Sequence, residues 1–325
     1  MQIVSALLIL ALVLVSCVGA ARAFWSAPQI LSSGRPYLIY GTAWKGGETY
    51  GHVYDAIMAG FRFVDTACQP RHYFEPGVGE GWVRAAQELR LSRSDLHFQT
   101  KFSSLEAQDP DNIPYDKDAP LEDQVRQSLA ASLVNLKTLY VDSLIMHGIE
   151  STHEDTMRVW RVFESFVDDG RVLKLGISNC YDLQEFASIY DEARVKPSYL
   201  QNRFYADTGF DIELRKFCAE KGVTYQSFWT LAASRDALAT PEAIDMARAK
   251  GLTPQTLMYA FMMRLNHTPL DGTTSVDHMK EDVEVMMGIL KGKRIFDDDT
   301  EVRRFGEDIL GMPEVNIPEF VSADL

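Results

Sequence analysis

Short apolar runs alternate with longer amphipathic stretches along almost the whole chain after Pro36. The runs have the length of strands, whereas the apolar residues of the stretches between them recur at helical spacing. Eight such runs follow one another, with an additional helical stretch before the eighth and a short tail after Arg294. This order is typical of parallel strands joined by crossover helices.

The uninterrupted series favours one fold of the α/β class, a single (β/α)8 TIM barrel over residues 36–325. A doubly wound open sheet is the alternative, but such sheets usually carry a Gly-rich phosphate turn after the first strand. Here the first apolar run leads into GTAWKGGETYG, which lacks a GxGxxG motif. Residues 1 to about 30 are expected to lie outside the fold.

Four of the apolar runs end in polar side chains of different chemistry. Asp65 ends FRFVDTA, Lys101 lies in LHFQTKF, His147 ends SLIMHG, and Ser178 and Asn179 end VLKLGISN. Because the carboxyl ends of parallel barrel strands meet at one mouth, we expect these side chains to converge where a ligand can contact all of them. An acid, an amine, an imidazole and a hydroxyl–amide pair at one mouth predict an enzyme.

Charge and cysteine content narrow the classes of partner. The chain has 46 acidic and 32 basic residues, a formal net charge of −14, and no basic run, which argues against nucleic acid or an anionic membrane surface as a partner. Four cysteines, Cys17, Cys68, Cys180 and Cys218, lie far apart without metal-ligand spacing. We expect thiols and no metal. Cys68 and Cys180 lie near strand tips, either as redox-sensitive groups or as small buried side chains.

Residues 1–23 form a separate segment. Positions 3–21 carry no charge, are rich in Leu and Val, and lead to small residues before Phe24, which predicts a secretory signal peptide. Its length also permits an uncleaved membrane anchor. Positions 14–17 resemble a lipobox, and the sequence around Phe24 resembles the cleavage motif of preproteins bound for the complex plastids of algae. We therefore expect targeting through the secretory pathway, with a plastid as a candidate destination.

Several motifs, each in the expected unit, together resemble the aldo-keto reductase family over nearly all of the chain after residue 36. They are Gly41-Thr42, GFRFVDTA, EPGVG from Glu75, Thr100-Lys101, LVNLKTLYVDSLIMHG, GRVLKLGISN and Gln201. Any one of these is common, but in this order they are specific. The resemblance implies a monomeric, NADP-dependent oxidoreductase that reduces a small-molecule aldehyde or ketone, or runs the reverse oxidation, with an Asp/Tyr/Lys/His tetrad.

The chemistry of such a tetrad follows from the reaction. Hydride delivery to a carbonyl carbon leaves an alkoxide, so the site must supply a proton near neutral pH. Tyrosine, with an ordinary pKa of about 10, is a reluctant donor unless a neighbouring cation stabilises its conjugate base. The resemblance implies that Lys101 supplies this cation and that Asp65 holds it in place. His147 is implied to orient the carbonyl oxygen and stabilise its developing charge.

The tyrosine is where the chain departs from the family pattern. The family usually places it at the position that Pro70 occupies here, so the loop CQPRHYFE looks longer than usual. Tyr73 is the one phenol in this loop and is predicted to be the proton donor. The alternative is that Tyr73 is a surface aromatic and that His72 or a water molecule donates.

The resemblance also implies a set of cofactor-binding residues. They are Thr42, Asp65, Ser178, Asn179, Gln201, Phe228, Thr274, His278, Glu281 and Asp282. Phe228 is implied to stack on the nicotinamide, with core packing as its alternative. The family binds the adenosine 2′-phosphate with a Lys-Ser pair and an Arg, whereas this chain has GTTS and His278, which leaves backbone amides, hydroxyls and a helix N-terminus. NADP is the expected cofactor, and NAD stays an alternative.

Two other functions compete with carbonyl reduction. A barrel that binds and senses the nucleotide with slow turnover would be consistent with the altered tyrosine loop. A metal-dependent barrel hydrolase or isomerase would need several His or carboxylate side chains on neighbouring tips, and Asp65 and His147 alone are too few.

Overall fold

A computed structural model describes residues 24–318, and eight parallel strands form a closed barrel within them. Each strand pairs with its neighbours in chain order, and β1 closes the barrel on β8 with Ile39 opposite Leu270. The strands are β1 Ile39–Gly41, β2 Phe63–Asp65, β3 His97–Phe102, β4 Val141–Met146, β5 Val172–Ser178, β6 Tyr199–Arg203, β7 Thr224–Phe228 and β8 Thr268–Asp271. The predicted (β/α)8 barrel is confirmed.

Helices follow the strands and cover the barrel. They are α1 Ala27–Ser32, α2 Thr49–Ala59, α3 Glu75–Leu89, α4 Leu121–Asn135, α5 His153–Asp168, α6 Leu183–Glu192, α7 Ile212–Lys221, α8 Thr230–Ala233, α9 Arg235–Leu238, α10 Pro241–Ala249, α11 Pro254–Arg264, α12 Val276–Leu290 and α13 Asp299–Arg303. Side chains just before several helices cap them: Thr152 accepts from the Asp155 amide and Asp182 from the Glu185 amide. These caps satisfy amide groups that have no partner inside the helix.

Most strand residues, polar ones included, are buried because both faces of the strands are covered. Polar side chains occur at alternate positions of β3, where Gln99 and Lys101 share one face and Phe98 and Phe102 lie on the other. All four are buried. The polar face points into the barrel, so the strand brings charged and amide groups into a closed interior below the mouth.

The expectation that residues up to about 30 lie outside the fold is wrong. Helix α1 buries Ala27 and Ile30 in the core, and Ser26 N donates to Gln29 Oε1 at 2.8 Å at the start of this helix. The Phe24 ring lies against Gly60, where the backbone has φ 122° and an added Cβ would come within 2.8 Å of the ring. The predicted signal segment, residues 1–23, lies outside the described residues.

The chain after Arg294 is also more than a tail. Helix α13 continues into a π-helical segment, Arg304–Ile309, and Val302 and Phe305 are buried. The Phe305 ring packs 5.0 Å from that of Phe261 on α11, so this segment extends the core. Between residues 24 and 318, no helix combines the length and the apolar character needed to cross a membrane.

Candidate active site

A cavity of about 800 Å³ opens at the carboxyl ends of the strands, and its wall contains most of the predicted site residues. Those that line it are Asp65, Tyr73, His147, Ser178, Asn179, Gln201, Phe228, His278, Glu281 and Asp282. Two predicted cofactor residues lie off this wall. Thr42 is buried and donates through Oγ1 to the Asp65 carbonyl at 2.9 Å, and Thr274 is exposed while its neighbour Thr273 lines the cavity.

Lys101 lies behind the cavity wall and forms a buried ion pair with Asp65. Lys101 Nζ donates to Asp65 Oδ2 at 2.5 Å and to the Thr66 carbonyl at 2.9 Å, and Lys101 is 1% exposed. Burial lowers the pKa of Lys101, and the Asp65 carboxylate opposes this shift. The carboxylate therefore helps to keep the lysine charged in a place where water cannot solvate it.

A set of buried amides orients the Asp65 carboxylate. Its Oδ1 accepts from Gln99 Nε2 at 2.7 Å and from Gln201 Nε2 at 3.1 Å. Both amides also donate to Gln226 Oε1, at 2.8 and 2.9 Å. The sequence analysis missed Gln99 and Gln226. Their signal is periodicity, because Gln99 precedes Lys101 by two positions on β3 and Gln226 is the register partner of Gln201.

The loop between β2 and α3 places Tyr73 beside the ion pair. The backbone amides of His72 and Tyr73 both donate to the Gln69 carbonyl, each at 3.0 Å. The Tyr73 ring centroid lies 5.1 Å from Lys101 Nζ, and the ring meets that of His147 edge-on, with centroids 5.8 Å apart. The structure thus brings all four predicted catalytic side chains together.

His72, the alternative proton donor, lines the cavity but has other partners. Its ring lies 3.9 Å from that of Trp44, and its Nδ1 is 2.9 Å from Gln69 Oε1. Burial, followed by the charge of Arg71, lowers the pKa of His72. Tyr73, whose ring centroid lies 5.1 Å from Lys101 Nζ, is therefore the better candidate for the proton donor.

A serine that the sequence analysis missed contacts His147. Ser103 Oγ lies 2.6 Å from His147 Nδ1. Burial, followed by the positive charge of Lys101, holds the pKa of His147 well below its usual value, so the ring is neutral near pH 7. When the serine hydroxyl donates to Nδ1, the ring proton resides on Nε2. Ser103 follows Lys101 by two positions, so strand alternation was the available signal.

Burial raises the pKa of Tyr73, and the negative charge of Asp65 raises it further. The phenol therefore keeps its proton through the physiological pH range. A protonated phenol and a neutral imidazole at one wall can both donate a hydrogen bond to a carbonyl oxygen, and the phenol can transfer its proton.

Amides and a flat ring form the part of the wall that follows β5, β6 and β7. Asn179 Nδ2 donates to the His147 carbonyl at 2.8 Å, and Ser178 Oγ donates to the Gln201 carbonyl at 2.7 Å. Phe228 is only half-buried and lines the cavity, so it is available for stacking rather than enclosed in the core.

Two tryptophans form the rim. Trp44 is 72% exposed and Trp229 is 54% exposed, and both line the cavity. An aromatic rim of this kind suits an apolar or partly apolar ligand.

The part of the wall formed by the end of β8 and the start of α12 is rich in carboxylates. The Thr273 amide donates to Asp271 Oδ1 at 2.8 Å, whereas the buried Oδ2 of Asp271 has no hydrogen-bond partner. Burial, together with neighbouring Asp271, raises the pKa of Asp282 to about 9. Lys280 Nζ lies 3.6 Å from Asp277, so its charge is partly compensated. Within residues 24–318, no arginine lines this end of the cavity.

The residues present fit a nicotinamide dinucleotide. Donor and acceptor amides with an aromatic face stand at one end, hydroxyl and imidazole groups stand at the other, and a volume of about 800 Å³ is in the usual range of cofactor sites. The unpartnered Asp271 Oδ2 at the second end can accept a ligand donor such as a ribose hydroxyl.

The three cysteines within the described residues are buried. Cys68, Cys180 and Cys218 are buried free thiols, and burial raises the pKa of Cys68 and of Cys180 to about 12, which favours inert packing over redox sensitivity. Across residues 24–318 no three His, Cys, Asp or Glu side chains are grouped as metal ligands would be.

Known proteins with similar sequences include oxidoreductases. An uncharacterized oxidoreductase of Bacillus subtilis, YtbE, is 24% identical over 242 residues, which cover 74% of this chain and 79% of the relative. An NAD(P)H-dependent D-xylose reductase of Pachysolen tannophilus is 28% identical over 198 residues, covering 53% of this chain and 57% of that protein.

Solved structures share the fold. A silkworm (Bombyx mori) aldo-keto reductase complexed with NADPH superposes with a TM-score of 0.66 at 20% identity, covering 86% of each chain. The sequence profile of the Aldo/keto reductase family matches residues 40–293, most of the barrel. This chain belongs to the Aldo/keto reductase family of oxidoreductases.

Proposed function

We propose that this protein reduces aldehydes or ketones to alcohols with NADPH and that Tyr73 is the proton donor. One observation carries the proposal: the buried Lys101–Asp65 pair, with Nζ and Oδ2 2.5 Å apart, faces the Tyr73 ring and His147 at the wall of one cavity. Burying a charged pair costs free energy, and apolar side chains of similar volume often stabilise a protein interior at least as well. This comparison argues against a purely structural role for the pair.

The side chains divide the work of the reaction. His147, neutral and oriented by Ser103, donates a hydrogen bond through Nε2 to the carbonyl oxygen of the substrate. Tyr73, protonated near neutral pH, gives its proton to the same oxygen as negative charge develops there. Lys101 stabilises the resulting phenolate, and Asp65 keeps the lysine in place. Bound NADPH supplies the hydride.

Cofactor binding is proposed for the two ends of the cavity. Ser178, Asn179 and Gln201 hold the nicotinamide amide, and Phe228 stacks on its ring. Thr273, His278, Glu281 and Asp282 contact the adenosine half, with Thr273 in the place expected for Thr274. NADP is the proposed cofactor, in line with the silkworm relative. The carboxylates at this end also make NAD acceptable, as in the xylose reductase named NAD(P)H-dependent.

The decisive experiment measures binding and turnover on the same preparation. Calorimetry gives the dissociation constants of NADPH and NADH, and the absorbance of the reduced nicotinamide follows turnover on a panel of aldehydes and ketones. We expect binding with turnover on at least one substrate. Tight binding without turnover on any substrate would contradict the proposal and favour a nucleotide sensor.

Location and assembly are further parts of the proposal. We propose that residues 1–23 direct the chain into the secretory pathway, with cleavage before Phe24 and a plastid as a candidate destination, and that the barrel acts as a monomer. The composition of the segment supports the statement on targeting, and the family resemblance supports the statement on the monomer. N-terminal sequencing of the protein from its native cell and size-exclusion chromatography with light scattering test the two statements.

A further inference from the structure

The cavity wall has an unusual charge balance for a dinucleotide site. Its side chains include four carboxylates, those of Asp65, Asp271, Glu281 and Asp282, and among the described residues Arg203 contributes its one arginine or lysine. Asp65 is already neutralised by Lys101 from below. A dinucleotide brings a doubly negative pyrophosphate, which is bound best by N–H donors with positive charge.

The Arg203 guanidinium stacks on aromatic rings and has no acidic partner among the described residues, as expected of a group that binds an anion. Its guanidinium lies 4.2 Å from the centroid of Trp229, 5.2 Å from that of Tyr205 and 5.9 Å from that of Phe228. In the described part of the chain it forms no ion pair, and its buried Nε has no hydrogen-bond partner. Stacking on aromatic faces fixes the plane of the guanidinium and leaves its edge free for an oxyanion.

The order of strands places Arg203 beside the nicotinamide residues, on the side of the cofactor site that leads towards the adenosine half. Asn179 follows β5 and Gln201 lies on β6. Asp271 lies on β8 and Asp282 on α12. Arg203 ends β6, next to Phe228 at the end of β7. In the barrel order β5-β6-β7-β8, Arg203 on β6 therefore lies at the nicotinamide end, and only β7 separates it from the adenosine end on β8.

A hydrogen-bonded chain connects Arg203 to the nicotinamide end. The backbone amide of Arg203 donates to the Tyr181 hydroxyl at 3.1 Å. This hydroxyl in turn donates to Asn179 Oδ1 at 3.2 Å. The backbone of Arg203 is thus linked to the residue proposed to bind the carboxamide.

We propose that Arg203 binds the pyrophosphate of the dinucleotide. The inference rests on the proposed function and deepens it, because it assigns the oxyanion of the cofactor to one side chain. A carboxylate on the substrate is the other source of the same oxyanion chemistry, and the experiment below distinguishes the two.

The test compares Arg203→Met and Arg203→Lys with the wild type by titration calorimetry of NADPH, NADH and ADP-ribose. Losing a charge-assisted hydrogen bond should weaken all three by about tenfold to a hundredfold in Arg203→Met, because each contains the pyrophosphate. Arg203→Lys keeps the positive charge but loses the planar set of N–H donors, so its affinities should lie between those of Arg203→Met and the wild type. Arg235→Met is the matched control, since its side chain is 87% exposed, and it should bind like the wild type.

The outcomes separate this inference from the proposed function. Wild-type affinity in Arg203→Met, with a wild-type melting temperature, overturns the pyrophosphate assignment. If the same variant then shows a raised KM for a carboxylate-bearing aldehyde but not for its neutral analogue, the guanidinium binds substrate instead. A wild type that binds no dinucleotide overturns the proposed function itself. If Arg203→Met does not fold, the three-ligand comparison with Arg203→Lys decides, and unchanged affinities there overturn the assignment.

Discussion

Replacing Lys101 by methionine should destabilise the protein as well as abolish reduction. Methionine fills much of the lysine volume but leaves the Asp65 carboxylate, 1% exposed, without its cation. Breaking a buried pair in this way costs about 3–5 kcal/mol. Asp65 keeps the donors of Gln99 and Gln201, so we expect the lower figure, about 3 kcal/mol. The lost stabilisation of the Tyr73 phenolate should lower kcat about a hundredfold to ten-thousandfold.

The double variant Asp65→Asn, Lys101→Met separates the two effects. Replacing both charges by neutral groups of similar shape is often nearly neutral for stability, so most of the lost 3 kcal/mol, roughly, should return. Activity should stay low, because no cation remains beside Tyr73. Urea unfolding followed by circular dichroism gives the free energies of unfolding, and NADPH oxidation gives the rates.

Two results would refute the reasoning about the pair. If Lys101→Met turns over like the wild type, the lysine has no part in proton transfer. If the double variant regains activity together with stability, the pair acts only by holding the barrel interior in shape. A matched pair on the surface, Arg84 and Glu88, 3.2 Å apart and exposed, serves as control, and its removal should change stability by less than about 1 kcal/mol.

Three further predictions address the proton donor, the imidazole and the adenosine end. Tyr73→Phe should lower kcat about a hundredfold to ten-thousandfold with dinucleotide affinity retained, whereas His72→Gln should stay within a few-fold of the wild type; the reverse ranking would make His72 the donor. Ser103→Ala should lower kcat about tenfold without changing cofactor affinity, because the 2.6 Å contact with His147 Nδ1 that orients the ring is lost. Ser103→Thr keeps a hydroxyl and should restore kcat. Equal rates in Ser103→Ala and the wild type would contradict this positioning role. The pKa of Asp282 is raised to about 9, so this carboxyl keeps its proton below that pH and gains a negative charge above it. NADPH should therefore lose affinity relative to NADH by roughly fivefold as pH rises from 8 to 10, and Asp282→Asn should abolish the change; calorimetry at each pH measures the ratio, and a constant ratio in the wild type would show that the carboxyl does not approach the 2′-phosphate.

The barrel was predictable because its signals are local. Runs such as VDSLIM in β4 are short and mostly apolar, with four apolar residues in six, and long amphipathic stretches separate them. The start of α3 at Glu75 is less predictable from the sequence. Two glycines and a proline made this turn look like a loop. Gly79 is needed there because an added Cβ would collide with the Asn135 carbonyl, a contact that no local pattern reveals.

The site was predictable to the extent that its residues end strands. Asp65, Lys101 and His147 could be selected in this way, and the one phenol of the tyrosine loop could be chosen by elimination. Ser103 and Arg203 were not selected, although Ser103 follows Lys101 by two positions and Arg203 ends β6, because their importance lies in what they contact across strands. The helix α1 was missed because six residues are too few to show a helical period.

The packing of α1 limits where the precursor can be trimmed. Phe24 covers Gly60, and Ala27 and Ile30 are fully enclosed by the barrel. A protease that cut before Phe24 would leave these three side chains in place. A cut beyond Ile30 would remove them, expose apolar surface and favour aggregation. The proposed cleavage site before Phe24 is thus adjacent to the folded body, with almost no spare residues between them.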